Sequence, residues 1–265
     1  MTQPNTDYQL DYINKEKKKR NIIIFSRFAI LICFLGIWEC ATYYEWIDAF
    51  FYSSPSRLAI TFLTMAKNLT IFQHTGITIL ETLISFVLVT IISLFIAMVL
   101  WYYKQLAEIV EPYFIMLNSL PKSALAPLLI VWLGTGMKTI IVAGISVAIF
   151  GSIMTLYTGF IQMDEEKEKL IYTLGGSRYH ILTKIMLPGT IPIIISTMKV
   201  NIGLCLVGVI IGEFLAARIG LGYLIIYSSQ VFQLDRLILA IVILCGIAYL
   251  LYEIICKIER AILSK

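Results

Sequence analysis

Residues 167–188 read KEKLIYTLGGSRYHILTKIMLP: a charged stretch of about two helical turns, a double glycine, a second amphipathic stretch and a proline, set between two long apolar runs. The flanking sequence DEEKEKLIYTL, from Asp164, puts acids in a first helical turn and Leu170, Ile171 and Leu174 at i, i+1 and i+4. That is the pattern of a short helix with one apolar face and a favourable charge at its N-terminus. Gly175 and Gly176 end it, because glycine accepts the left-handed backbone of a helix terminus, and Ser177 is placed to cap the next helix. Ile181, Leu182, Ile185 and Met186 then form a stripe against polar Arg178, Thr183 and Lys184, and Pro188 with Pro192 redirects the chain. A helix, an elbow and a helix are predicted, standing in water.

The rest of the chain is oily. Of 265 residues 59% are hydrophobic and 14% charged, and mean hydropathy is +0.85. A soluble domain carries about 25% charged residues. Apolar runs near 22–44, 76–102, 110–133, 138–160, 190–216 and 236–257 each reach the roughly 20 residues that a membrane-crossing helix needs. We therefore expect an all-α polytopic membrane protein with six transmembrane helices and an uncleaved first span. Residues 1–21 are expected to be a cytoplasmic tail. A single permease-like domain is expected over 22–265, with the hairpin at about 161–188.

Basic residues set the orientation. Lys15, Lys17, Lys18, Lys19, Arg20, Arg27, Lys104, Lys167, Lys169, Arg178, Lys184, Lys257, Arg260 and Lys265 fall on one side, against Arg57, Lys67, Lys138, Arg218 and Arg236 on the other. By the positive-inside rule both termini and the hairpin are cytoplasmic. The net charge of +4 is spread over these short segments and forms no patch with stacking aromatics, so nucleic acid is not indicated as a partner. The five cysteines lie in or beside apolar runs without metal-ligand spacing, and His74 and His180 stand far apart, so no metal site is expected. The outward segments 45–75 and 217–235 each hold a short interfacial helix pattern.

The spacing Lys169-Leu170-Ile171, three residues, Gly175, nine residues, Ile185, one residue, Leu187-Pro188 resembles the cytoplasmic loop motif of permease subunits of bacterial ABC importers, with Lys169 where that motif usually has glutamate. SSPS at 53–56, SLPKSALAPLLIVWLGTG at 119–136, TLGGSRYHILTKIMLPGTIPIIISTMKVNIG at 173–203 and GEFLAARIGLGYLI at 212–225 extend the resemblance along most of the chain. They are similar to the branch that imports sulfonates, taurine, nitrate, bicarbonate, or pyrimidine and flavin compounds. The resemblance implies a type I ABC importer permease fold in the bacterial cytoplasmic membrane. It also implies a homodimer, cytoplasmic ABC ATPase subunits that hold the ATP and Mg, an extracytoplasmic solute-binding protein, and no cofactor or catalytic residue in this chain. The hairpin is then the coupling helix, with Lys169, Leu170, Ile171, Gly175, Gly176, Ser177, Arg178, Tyr179, Ile185, Leu187 and Pro188 as candidates for ATPase coupling and 175–179 as the contact. The bland alternative is a hairpin that only packs on its own spans.

Ionisable residues within the spans are costly, and Glu39, Glu81, Lys122, Lys199 and Glu213 are the candidates. Glu39 and Lys122 are expected to snorkel to an interface. Lys199 and Glu213, near four turns apart, fit either pairing with charges on other spans or the two lipid boundaries, and the resemblance, whose family carries a base and an acid at these places, implies a structural or gating role. Gly203, Gly208 and Gly212 on the fifth span, with a small-xxx-small GVIIG stretch, and Asn118 with Pro121 and Pro127 on the third, are candidates for the translocation path or the contact with a second copy. An ion-coupled secondary transporter is the alternative, but no repeat-related halves are evident. An intramembrane enzyme is disfavoured by the lack of an HExxH pair or an aspartate dyad.

Overall fold

The computed structural model describes residues 5–163 and 165–263. Asp164, the first acid of the hairpin, and Lys265 lie outside the described residues, as do 1–4 and 264. Among the described residues helix is the only regular structure, and the chain divides into two units between Leu63 and Thr64.

The first unit holds α1 (Asn5–Tyr43), α2 (Ala49–Tyr52) and the start of α3 (Pro55–Lys67). Residues 5–21 are helical and continue into the rest of α1, as the good helix formers Glu, Lys and Arg and an Asp11–Lys15 pair at 3.0 Å allow. Glu39 is tied to the start of α3. Its carboxylate accepts from the Ser56 amide at 3.0 Å and the Ser56 hydroxyl at 2.7 Å, bonding an orphan donor in the first turn of α3, where a negative charge suits the helix dipole.

The second unit continues through α4 (Thr70–Tyr102), α5 (Lys104–Ser119), α6 (Lys122–Leu133), α7 (Met137–Ile161), α8 (Glu165–Thr173) and α9 (Arg178–Ile181). A π-helical turn (Leu182–Met186) leads to α10 (Leu187–Gly189), α11 (Ile191–Ala216), α12 (Leu221–Gln230) and α13 (Leu234–Leu263). Among the described residues five helices, α1, α4, α7, α11 and α13, are long and apolar enough to cross a membrane, and α5 with α6 makes a sixth only as a bent pair. The predicted third span, 110–133, is thus not one rod: its two parts meet at 96°. Leu120 precedes a proline and takes an extended backbone, φ −63° and ψ 135°, so the helix stops there and restarts after Pro121. Lys122 reaches back into this break. Its ammonium donates to the carbonyls of Leu117 and, at 3.2 Å, Asn118, which the end of α5 leaves without amide partners.

Helices α4, α7 and α11 form the centre of the second unit, packing more extensively on one another than on any other helix. Small residues permit the close crossing of α7 and α11. A Cβ added at Gly208 would come within 2.8 Å of the Ala143 carbonyl oxygen and the Gly144 Cα, and one at Gly212 within 3.0 Å of the Ile140 Cα. Both glycines of the GVIIG stretch are therefore spent on a crossing inside this chain, whereas Gly203 faces open space. A buried polar chain ties the three helices: Asn201 donates to the Ser152 hydroxyl at 2.8 Å, and Ser152 donates to Ser93 at 2.9 Å.

At the other end of the bundle Glu213, fully buried, accepts from the Thr78 hydroxyl at 2.7 Å and the Gly222 amide at 2.6 Å. The Leu221 amide donates to Thr78 at 2.8 Å, and His74 Nδ1 lies 3.0 Å from both the amide nitrogen and the carbonyl oxygen of Gly220. Gly220 has φ +135°, and a Cβ there would strike the Glu213 carboxylate at 2.4 Å. The loop between α11 and α12 is latched onto α4 by polar groups that lipid could not satisfy.

Substituting Gly208 by valine overpacks the α7–α11 crossing and should cost about 1–3 kcal/mol, read as a lower unfolding midpoint in detergent. Gly203→Ala, made in open space, should stay within roughly 0.5 kcal/mol of the parent chain.

Candidate functional site

The hairpin is built as a helix terminus that a side chain would spoil. The amide of Gly176 donates to the Ile171 carbonyl at 2.8 Å and that of Gly175 to the Tyr172 carbonyl at 3.0 Å, with Gly175 at φ +77°. This is the paired hydrogen-bond closure in which the residue after the helix cap must be left-handed. A Cβ at Gly176 would stand 2.9 Å from the Ile171 carbonyl oxygen and closer still to its side chain. Ser177 caps the start of α9, and its amide donates to His180 Nδ1 at 3.1 Å. His180, read from sequence as an ordinary boundary residue, reaches back to secure this helix start.

The second half of the hairpin is anchored. Ile181 and Met186 are buried against Ala97 and Trp101 at the end of α4 and Leu156 and Phe160 at the end of α7. Ile185 and Leu187 are half-buried, and Pro188 is exposed in α10. Thr190 donates to the Met186 carbonyl at 2.7 Å, so the π-helical turn, α10 and the start of α11 run on with only a one-residue step at Thr190. Arg178 also points back into the chain: its guanidinium carbon lies 5.8 Å from the Trp101 ring centroid and 5.4 Å from that of Tyr102.

The elbow itself is open. Leu174 is 75% and Tyr179 65% exposed, and Lys169, Leu170, Gly175 and Ser177 are exposed beside them. Apolar side chains of that size on a charged hairpin form a surface suited to a protein partner. The hairpin therefore both packs on its own spans, through the α9 side, and presents an uncovered tip.

A second feature lies between α7 and α11: an open groove of about 390 Å³ lined by Ser152, Thr155, Ser196, Thr197 and Asn201 together with Gly151 and several aliphatic side chains. Asn118 stands at its edge, its side-chain oxygen 3.3 Å from where a Cβ on Gly151 would be. The two charges predicted for this region are elsewhere. Lys199 is paired with Glu259 of α13 at 2.8 Å, each about one quarter exposed, and Glu213 is held in the latch. The groove residues went unnoticed in the sequence, although Gly151, Ser152 and Thr155, and Thr197 and Asn201, already form a small and hydroxyl-rich stripe at helical spacing.

Comparison with known proteins joins these features to a family. The family described as the binding-protein-dependent transport system inner membrane component matches residues 89–264. A probable ABC transporter permease of Haemophilus influenzae is 28% identical over 82% of this chain and 88% of its own length. The riboflavin transport system permease RibX of Chloroflexus aurantiacus is 25% identical over 87% and 86% of the two chains, and the taurine transport system permease TauC of Escherichia coli 22% identical over 83% and 82%. Among solved structures, a chain of the MetNI methionine ABC transporter in an inward-facing conformation superposes with a TM-score of 0.66 at 17% identity, over 74% of this chain and 97% of that one. With a central three-helix bundle, an elbowed hairpin and a family match over most of its length, this chain belongs to the binding-protein-dependent transport family and is a multi-pass membrane permease of the ABC transporter class.

Proposed function

We propose that this chain is the membrane half of an importer driven by separate cytoplasmic ABC ATPases, working as a homodimer fed by an extracytoplasmic solute-binding protein. The observation that carries the reading is mechanical: an uncovered tip at Leu174–Tyr179 is joined through buried Ile181 and Met186 to α11, the helix that lines the groove. Force applied to the tip by closing ATPases reaches α11 along packed helix, as rigid-body alternating access requires. The prevalence of basic residues on the hairpin side supports a cytoplasmic tip and cytoplasmic termini.

The α7–α11 groove is the candidate path. Its α11 lining runs from Pro192 to Leu204, about 18 Å of helix, which is more than half of the roughly 30 Å hydrocarbon core. It lies toward the hairpin ends of both helices, where an inward-open path would be. Ser152, Thr155, Thr197 and Asn201 are already bonded within the chain and Ser196 is exposed, so the groove offers a passing solute few fixed partners that would trap it. In a dimer the second copy would complete the wall. The cargo belongs among small solutes of the kinds carried by relatives, from sulfonates and taurine to riboflavin and formylaminopyrimidine.

Co-purification from native membranes tests the coupling reading. An ATPase should accompany the intact chain and be lost with Gly175→Trp or Leu174→Glu; the same recovery with all three would overturn it. Ser196→Trp, filling the groove, should abolish solute uptake while the ATPase still co-purifies. Undiminished uptake would remove the groove from the path.

A further inference from the structure

Between the hairpin and the ends of α4 and α7, a cavity of about 350 Å³ is framed by Trp101, Lys104, Glu168, Lys169, Tyr172 and Arg178. Three of these are basic and one acidic. The remaining wall includes Ile161, the last residue of α7, while Trp101 stands one residue from the end of α4. Two membrane-length helices therefore terminate at the cavity, which sets it at the level of the lipid headgroups, where Trp and Tyr are favoured.

The recognition chemistry is partly pre-arranged. Arg178 is held over the Trp101 and Tyr102 rings and does not need to be ordered on binding. Lys104 is exposed and opens α5, a 16-residue helix whose first turn has no side-chain cap, so its positive end adds to the ammonium. A basic cavity between span ends at the headgroup layer has the composition of an anionic-lipid site. We propose that this cavity binds a phosphate-bearing anion, presented by the headgroup of an anionic phospholipid, which clamps α8 and α9 of the hairpin to the α4–α5 turn. The inference concerns the cavity alone and does not depend on which partner meets the tip.

The test uses the full chain in nanodiscs of phosphatidylcholine, with or without an equal share of phosphatidylglycerol, and native mass spectrometry to count retained lipids. Lys104→Glu reverses a charge in the cavity while suiting the start of a helix, so folding is preserved. It should weaken the preference for phosphatidylglycerol by roughly tenfold, whereas Lys138→Glu, at the far end of α7, should not. In the phosphatidylcholine discs labelled inorganic phosphate is added: saturable binding lost with Lys104→Glu, without any lipid preference, supports the anion site with a soluble source. If Lys104→Glu changes neither lipid retention nor phosphate binding, the proposal is overturned.

Discussion

Within lipid, every backbone amide and carbonyl must find its partner inside the protein, and the departures from simple helix in this chain are organised around that constraint. Where the third apolar run breaks at Leu120, an ammonium from the next helix takes the freed carbonyls. Where α11 turns into α12, Glu213, Thr78 and His74 engage the loop amides. The hairpin elbow, outside the apolar spans, closes its helix end with its own amides as any helix terminus does. Charges that look extravagant in a hydrophobic chain are thus spent largely on backbone, and Lys199 on the Glu259 carboxylate.

The same constraint bears on the coupling we propose between the hairpin and the groove. Helices that satisfy their own backbones behave as stiff rods, and rods packed through glycine contacts, as at Gly208 against Gly144, shift as bodies and do not deform. The π-helical turn at Leu182–Met186 is a local irregularity on that line, placed where the hairpin passes into α11. Such turns recur at functional positions in helices. Arg178 and Ile181 brace the hairpin against the ends of α4 and α7.

Membership of the family narrows the chemistry without naming the cargo. The groove offers hydroxyl and amide groups, and its neighbouring charges are engaged elsewhere: Lys199 with Glu259, and Lys122 with the end of α5. Under the path proposed above, no free charge in the groove would select the solute, and specificity would fall to the assembly.

The sequence by itself determined the class of the protein: apolar runs of membrane length, the asymmetry of Lys and Arg, and the spacing from Lys169 to Pro188 follow from local periodicity and composition, which a single chain displays openly. It also disclosed the elbow, because Gly175 and Gly176 are demanded by backbone geometry within a few residues. Only the tertiary structure decided what the spans' side chains do. Gly208 and Gly212 meet α7 of the same chain, Arg178 turns back onto Trp101, Lys122 fills a helix break, and Ser152, Thr197 and Asn201 converge on a groove. The reason is physical: periodicity shows that a residue lies on a face, but in a helix apolar all round, which face meets which neighbour is set by packing between segments far apart in sequence.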